Sequence, residues 1–300
     1  MSEHRNILFH GLGLTLRRLP ALLWAYVFNL ALALLFSLNL HHRLADVTSH
    51  SLASQRLISG FDLGAVTDAF SRLNEGPSNS DLATHGNVPL YFILFFLLVP
   101  GTIFCYLTKV SARLSTLLQQ GLLFFWRFIR ITILTLLVSA LILGPLFALQ
   151  KAWATHVDNH AVGFHAFLAR LIGLIVIFLV ASLLRLYFDL VEVYTVQLGL
   201  HLRSNGKPDR RVRKTLGPAW RTLRHNFARA WLTFLFLGLL GAGTVLLTAR
   251  IALHMLAQPR VWPLFLLAQF GLFVMLLTRF WQRGAEASLV LQNPLPTPDS

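Results

Sequence analysis

The sequence predicts an all-α fold: a polytopic membrane helix bundle of six transmembrane helices, with basic interfacial helices and a short outer helical segment. Three observations carry this. Apolar residues make up 55% of the 300-residue chain, charged residues only 13%, and mean hydropathy is +0.63, too apolar for an ordinary soluble fold. Six apolar stretches recur, each about 20 residues long, enough to cross a hydrocarbon core at about 1.5 Å per residue. Between them, basic connections alternate with connections that lack basic bias, as the positive-inside rule requires.

Residues 1–19 are short and basic (Arg5, Arg17, Arg18) and form a cytoplasmic interfacial segment in which Ile7, Leu8, Leu12, Leu14 and Leu16 allow a helix. The six-span domain then occupies 20–284. Its first span, 20–40, is too long for a signal-peptide core and precedes no clear cleavage site, so it reads as uncleaved. The segment 41–88 sets three Arg against five acids (Asp46, Asp62, Asp68, Glu75, Asp81) and belongs outside. It is expected to form short helices over 51–58 and 65–73 and a loop over 74–88, resting on the bundle.

Spans are expected at 89–108, 129–149, 166–184, 230–248 and 261–278. Pro100, Pro145 and Pro263 punctuate three of them, which neighbouring helices can accommodate. The connection 109–130 carries Lys109, Arg113, Arg127 and Arg130 without an acid and reads as inside, whereas 150–165 and 249–260 read as outside. Trp24, Trp126, Trp231 and Trp281 fall near inner ends, Trp153 and Trp262 near outer ends, as an aromatic belt places them. Residues 285–300 are expected to be a disordered Pro-rich tail.

Between spans four and five lies a basic elbow, 203–229, with nine Lys or Arg and one acid, Asp209. Leu216, Trp220, Leu223, Phe227 and Trp231 recur at helical spacing, with Arg213, Lys214, Arg221 and Arg224 largely off that stripe. A basic amphipathic helix abutting a span reads as lying on the inner leaflet, so Arg213, Lys214, Arg221, Arg224 and Arg229 are expected to contact lipid headgroups. A weak repeat accompanies it. Thr15–Trp24 resembles Thr222–Trp231, and Phe125–Arg130 is a looser third copy. Either three hairpin repeats underlie this, or every helix entering from inside converges on basic residues and Trp.

Arg185, Asp189 and Glu192 are the densest charges near membrane depth, and spacings of 4 and 7 put them on one helical face. The structural reading is an interfacial ion-pair ladder. The functional reading is a coupling site or a contact for a cytoplasmic partner. Eight of twelve histidines fall on the outer side. His156 and His160, four apart, could share a metal ion on a helix, although HxxxH without a catalytic Glu is a weak motif. Within the spans, Asn29, Gln269, Thr132, Thr135 and Ser139 read as packing and hydrogen-bonding residues.

The net charge of +14 comes without a nucleic-acid motif, and its distribution is that of orientation signals. One cysteine, Cys105, excludes a disulfide within the chain. There is no GxSxG, HExxH, P-loop or dinucleotide-binding motif.

The basic run into Trp24, the segment Ser51–Asp62, the run Arg185-Leu-Tyr-Phe-Asp189 and the Arg-rich elbow before Ala230 together give a layout that resembles uncharacterised bacterial six-span inner-membrane proteins. The resemblance implies the topology and no activity or site residues. The expected function is therefore that of a non-enzymatic integral membrane protein, a lipid-contacting scaffold or an accessory subunit of a larger membrane assembly. A transport permease driven by a separate ATPase or ion gradient is one alternative, an unrecognised membrane enzyme another. No cofactor is expected. The expected partners are anionic lipids of the inner leaflet and a protein at the 203–229 elbow. The expected location is the bacterial inner (cytoplasmic) membrane, with both termini cytoplasmic.

Overall fold

The computed structural model describes residues 6–49, 81–160, 164–200, 211–255 and 261–295. Within them the chain is helical and without strands: α1 (Ile7–Arg17), α2 (Leu19–Ser49), α3 (Asp81–Thr108), α4 (Leu114–His160), α5 (Phe164–Leu200), α6 (Arg213–His225), α7 (Phe227–Met255) and α8 (Val261–Gln292). Five stretches are long and apolar enough to cross a membrane: Pro89–Thr108, Leu114–Val157, Phe167–Leu200, Phe227–Met255 and Trp262–Gln292. A sixth exists if Ile7–Arg17 and Leu19–Leu35, which meet at 71°, count as one bent span. The protein is an all-α, multi-pass membrane bundle.

Its surface makes the same point. Leu136, Leu141, Ile172, Leu239, Leu246, Leu253 and Phe270 are all largely exposed. Water would not tolerate so broad an apolar belt, whereas lipid covers it at no cost. The protein core lies instead at one end, where the starts of α2, α4 and α7 meet the ends of α3, α5 and α8. Ile103, Tyr106, Phe128, Ile131, Leu190, Tyr194 and Val290 are fully buried there. α1 packs on α8 and α6 on α5, both at this packed end.

Glycines set the closest crossing. A Cβ on Gly121 would meet the Leu97 backbone, and one on Gly101 would meet the Leu117 backbone, so α3 and α4 touch main chain to main chain. Without a hydrophobic drive between helices in lipid, such close approach supplies the van der Waals attraction that holds them. The last helix treats α1 alike: a Cβ on Gly11 would lie 2.5 Å from the Ala285 amide nitrogen.

Several boundaries differ from the sequence reading. The inner connection expected over 109–130 is only the turn 109–113, because α4 starts at Leu114. Leu117, Phe124, Phe128 and Ile131 follow helical spacing and bury one face there, a pattern that a search for continuous apolarity passes over. α4 is 47 residues long, roughly 70 Å at 1.5 Å per residue, far more than the expected span 129–149. It continues to His160, and α7 to Met255, so the outer connections expected over 150–165 and 249–260 are largely helix. α5 likewise runs on from 184 to Leu200. The outer segment 41–88 is helical up to Ser49 and from Asp81 on, which replaces part of the expected 74–88 loop. The short helices expected over 51–58 and 65–73 lie outside the described residues.

The tail needs the largest correction. Residues 285–292 belong to α8, and Ala285, Ala287, Leu289 and Val290 are buried. Hydropathy falls after 278 because Arg279, Gln282, Arg283 and Glu286 intervene, and these polar residues belong largely to an internal network described below. Asn293 closes the helix, its backbone and side-chain nitrogens both donating to the Leu289 carbonyl at 3.2 and 3.0 Å. Residues 296–300 lie outside the described residues.

Candidate functional site

The site begins with α5. Past the expected inner end of the fourth span, its residues Leu186–Val196 are almost all buried against α8, α6, α3 and α4. Two of them are carboxylates: Asp189 is 1% exposed and Glu192 is also buried. A buried carboxylate is tolerated only when paired, and the partner comes from α8. Arg283 Nη1 lies 3.1 Å from Asp189 Oδ1, and its Nη2 lies 2.7 Å from Glu192 Oε2. The same guanidinium reaches Glu286 Oε2 at 3.2 Å on its own helix. Arg185 closes the network from its exposed edge, with Nε 3.0 Å from Asp189 Oδ1. Gln282 Nε2 donates to Glu286 Oε1 at 3.3 Å.

The expected ladder of Arg185, Asp189 and Glu192 is thus only half of the arrangement. Arg185–Asp189 is its i,i+4 rung, and Glu192 is joined to Asp189 through Arg283. Sequence reasoning missed Arg283, Glu286 and Gln282 because they fell in or beside the stretch read as tail. A signal was available. Two buried acids on one helix face require a cation from a neighbour, and Arg283 with Glu286 at i,i+3 offers a matching face one turn past the last span.

The arrangement ties the ends of α5 and α8 together. Among the described residues three carboxyl groups face two guanidiniums. A cavity of about 20 Å³ adjoins it, lined by Ile7, Leu186, Gln282 and Glu286 among others, which is room for about one water and not for a solute.

Hydrogen bonds extend the clamp to both short helices. Trp281 Nε1 donates to the Leu8 carbonyl at 2.7 Å, His10 Nδ1 lies 2.7 Å from Ser288 Oγ, and Thr15 Oγ1 donates to the Phe280 carbonyl at 3.1 Å. On the other side Tyr194 Oη lies 2.6 Å from Thr222 Oγ1, and Tyr187 Oη donates to the Leu216 carbonyl at 3.3 Å. Trp231 Nε1 donates to Ser182 Oγ at 2.9 Å. Trp231 and Trp281, expected in an aromatic belt, are therefore internal struts. In the repeat, Thr15 and Thr222 correspond, and each lies within hydrogen-bonding reach of a fully buried tyrosine, Tyr106 at 3.5 Å and Tyr194. The short helices end alike, Arg18 at φ −119°, ψ 32° and Asn226 at φ −117°, ψ 28°.

That break at Asn226 alters the expected amphipathic stripe. Leu216 through Trp231 do not lie on one helix. α6 buries Thr215, Ala219, Thr222 and Leu223, a small and polar face that seats on Tyr194 and Thr195. Trp220 points away, 59% exposed, beside the exposed Arg213, Lys214, Arg221 and Arg224. Arg229, on α7, is half-buried. The elbow residues 203–210 lie outside the described residues.

His156 and His160 share α4, and His156 is exposed. Among the described residues no group of three His, Cys, Asp or Glu side chains is placed to hold a metal ion. Of the residues within spans, Gln269 Oε1 accepts from Tyr26 Oη at 2.8 Å and joins α8 to α2, while Asn29 and Thr135 bond within their own helices. Compared with known proteins, the chain matches no family model, no curated protein and no solved structure.

Proposed function

We propose that the protein is a non-enzymatic, lipid-contacting scaffold of the bacterial inner (cytoplasmic) membrane, with the packed end and both termini on the cytoplasmic side. The observation that carries this reading is the closed network of Arg185, Asp189, Glu192, Arg283 and Glu286. Charges that could have served coupling or proton transfer are instead paired, all but Arg185 largely withdrawn from solvent, and used to join α5 to α8. Beside them lies a cavity of about 20 Å³, room for about one water and not for a solute path.

Orientation is supported by charge. The basic segments Arg17–Arg18, Lys109–Arg113 and Arg211–Arg224 all belong to the packed end, as cytoplasmic segments do under the positive-inside rule. The choice of a bacterial inner membrane follows only from the resemblance to bacterial six-span proteins and is part of the proposal.

The test is extraction of the tagged protein with its native lipid belt, from cells carrying wild type or Asp189→Asn/Glu192→Gln. A scaffold yields a reproducible lipid and protein complement from wild type, and the variant yields less folded bundle with a matching loss of that complement. A variant that inserts, folds and keeps its complement while a transported solute stops moving would establish a permease and sink the scaffold reading.

A further inference from the structure

Three segments lead from the packed end into a span, and each exposes a large apolar side chain beside a cation. On α1 these are Leu16 and Arg17, on the first turns of α4 Trp126 and Arg130, and on α6 Trp220 with its four cations. A protein partner with an acidic patch would meet one such segment. A bilayer surface can meet all of them, because it surrounds the bundle. The mixture of aromatic ring and guanidinium is what the boundary between acyl chains and headgroups accommodates.

α6 is the most basic of the three, and its position on α5 is fixed by side-chain contacts. Its buried face is pinned to α5 by the Tyr194–Thr222 contact at 2.6 Å and by Thr195–Thr215 at 3.3 Å. Trp220 is steadied edge-on by the Tyr187 ring, with centroids 6.1 Å apart at 79°. Arg213, Lys214, Arg221 and Arg224 are thereby held on the opposite face, all exposed. We infer that this face is a binding site for the phosphate groups of anionic phospholipids in the leaflet at the packed end, with the Trp220 indole seated at the base of the headgroups. The inference rests on the scaffold reading above and names the lipid class it selects. Each Lys or Arg near an anionic leaflet strengthens association roughly fivefold, and salt weakens the effect.

The experiment uses the full chain reconstituted in vesicles of phosphatidylcholine mixed with phosphatidylglycerol, followed by native mass spectrometry of retained lipids. Wild type is expected to retain phosphatidylglycerol preferentially, with the preference falling as salt rises. The variant Arg213→Gln/Lys214→Gln/Arg221→Gln/Arg224→Gln should lose at least tenfold of that preference with unchanged thermal stability. A control, Arg170→Gln/Arg250→Gln at the other end of the bundle, should keep it. Equal preference in wild type and the α6 variant, or equal loss in the control, overturns the site. If the α6 variant keeps its lipid preference but loses a co-extracted protein, the face docks protein and the lipid inference fails while the scaffold reading stands. If the preference behaves as expected but native extraction yields no reproducible complement, the scaffold reading fails and the lipid site stands.

Discussion

Arg283 Nη2 on α8 lies 2.7 Å from Glu192 Oε2 on α5, in a region where Glu192 has almost no access to solvent. The same guanidinium holds Asp189 at 3.1 Å, so one side chain compensates two buried acids from another helix. Removing one partner of a buried ion pair leaves an uncompensated charge, at a cost of about 3–5 kcal/mol. Arg283→Met is therefore expected to destabilise the bundle by about that much, read as a large fall in midpoint on thermal unfolding in detergent. Asp189→Asn/Glu192→Leu added to it should recover part of the loss. A fall unaffected by those second changes would mean that Arg283 acts through something other than these acids.

Glu286 should behave in the opposite way. It is the third carboxylate around two guanidiniums, and it already accepts from Gln282. Glu286→Gln keeps the shape and the hydrogen-bonding reach to Gln282 and Arg283. The expected change is within about 1 kcal/mol of wild type and of either sign, in contrast with Arg283→Met. A loss as large as that of Arg283→Met, measured in the same assay, would show that Glu286 is as necessary to the network as Arg283.

The contrast marks what was readable in advance. Continuous apolarity located five of the expected stretches inside helices long and apolar enough to cross a membrane, because lipid imposes one composition on all of them. It did not reveal Leu117–Phe128 or Ala285–Val290, because these stretches face protein and mix small, polar and apolar residues at helical spacing. Arg185, Asp189 and Glu192 were legible as one face through their spacing. Their partners were not, since nothing local to α5 says that α8 continues past Thr278 and brings Arg283 alongside. The elbow was legible as basic and helical, but the stripe through Trp220 was assigned to one helix because Asn226 carries no obvious break signal. Only the small residues Thr215, Ala219 and Thr222 identify the face that α6 buries.

The α3–α4 crossing makes a prediction of its own. Gly121 sits on the Leu97 backbone and Gly101 on the Leu117 backbone, so neither site has room for a side chain. Gly121→Val must push the two helices apart or force the backbone to shift, at about 1–3 kcal/mol or more. Gly144, with nothing near its Cβ position, is the control: Gly144→Ala in the lipid-facing part of α4 should be neutral or slightly stabilising. Cysteine pairs placed across the crossing should lose cross-linking efficiency in the Gly121→Val background and keep it with Gly144→Ala. Equal efficiency in both would remove the case for a glycine-dependent contact.

The turn after α3 carries the last prediction. Lys109 adopts φ 59°, the only positive φ at a non-glycine position among the described residues. It lies just past Thr108, where helices commonly end in the left-handed region and where glycine is the usual occupant. An L side chain there costs about 1–2 kcal/mol in Cβ–carbonyl crowding, part of which glycine returns through the greater freedom of the unfolded chain. Lys109→Gly should thus stabilise the protein by about 0.5–1 kcal/mol, and Lys109→Val should destabilise it, because a β-branched side chain fits that conformation worst. Lys109→Ala separates backbone from charge: it removes the cation but keeps Cβ, so its stability should stay close to wild type. If Lys109→Ala gains as much as Lys109→Gly, the gain comes from lost charge repulsion with Arg113 and its basic neighbours, and the turn is not strained.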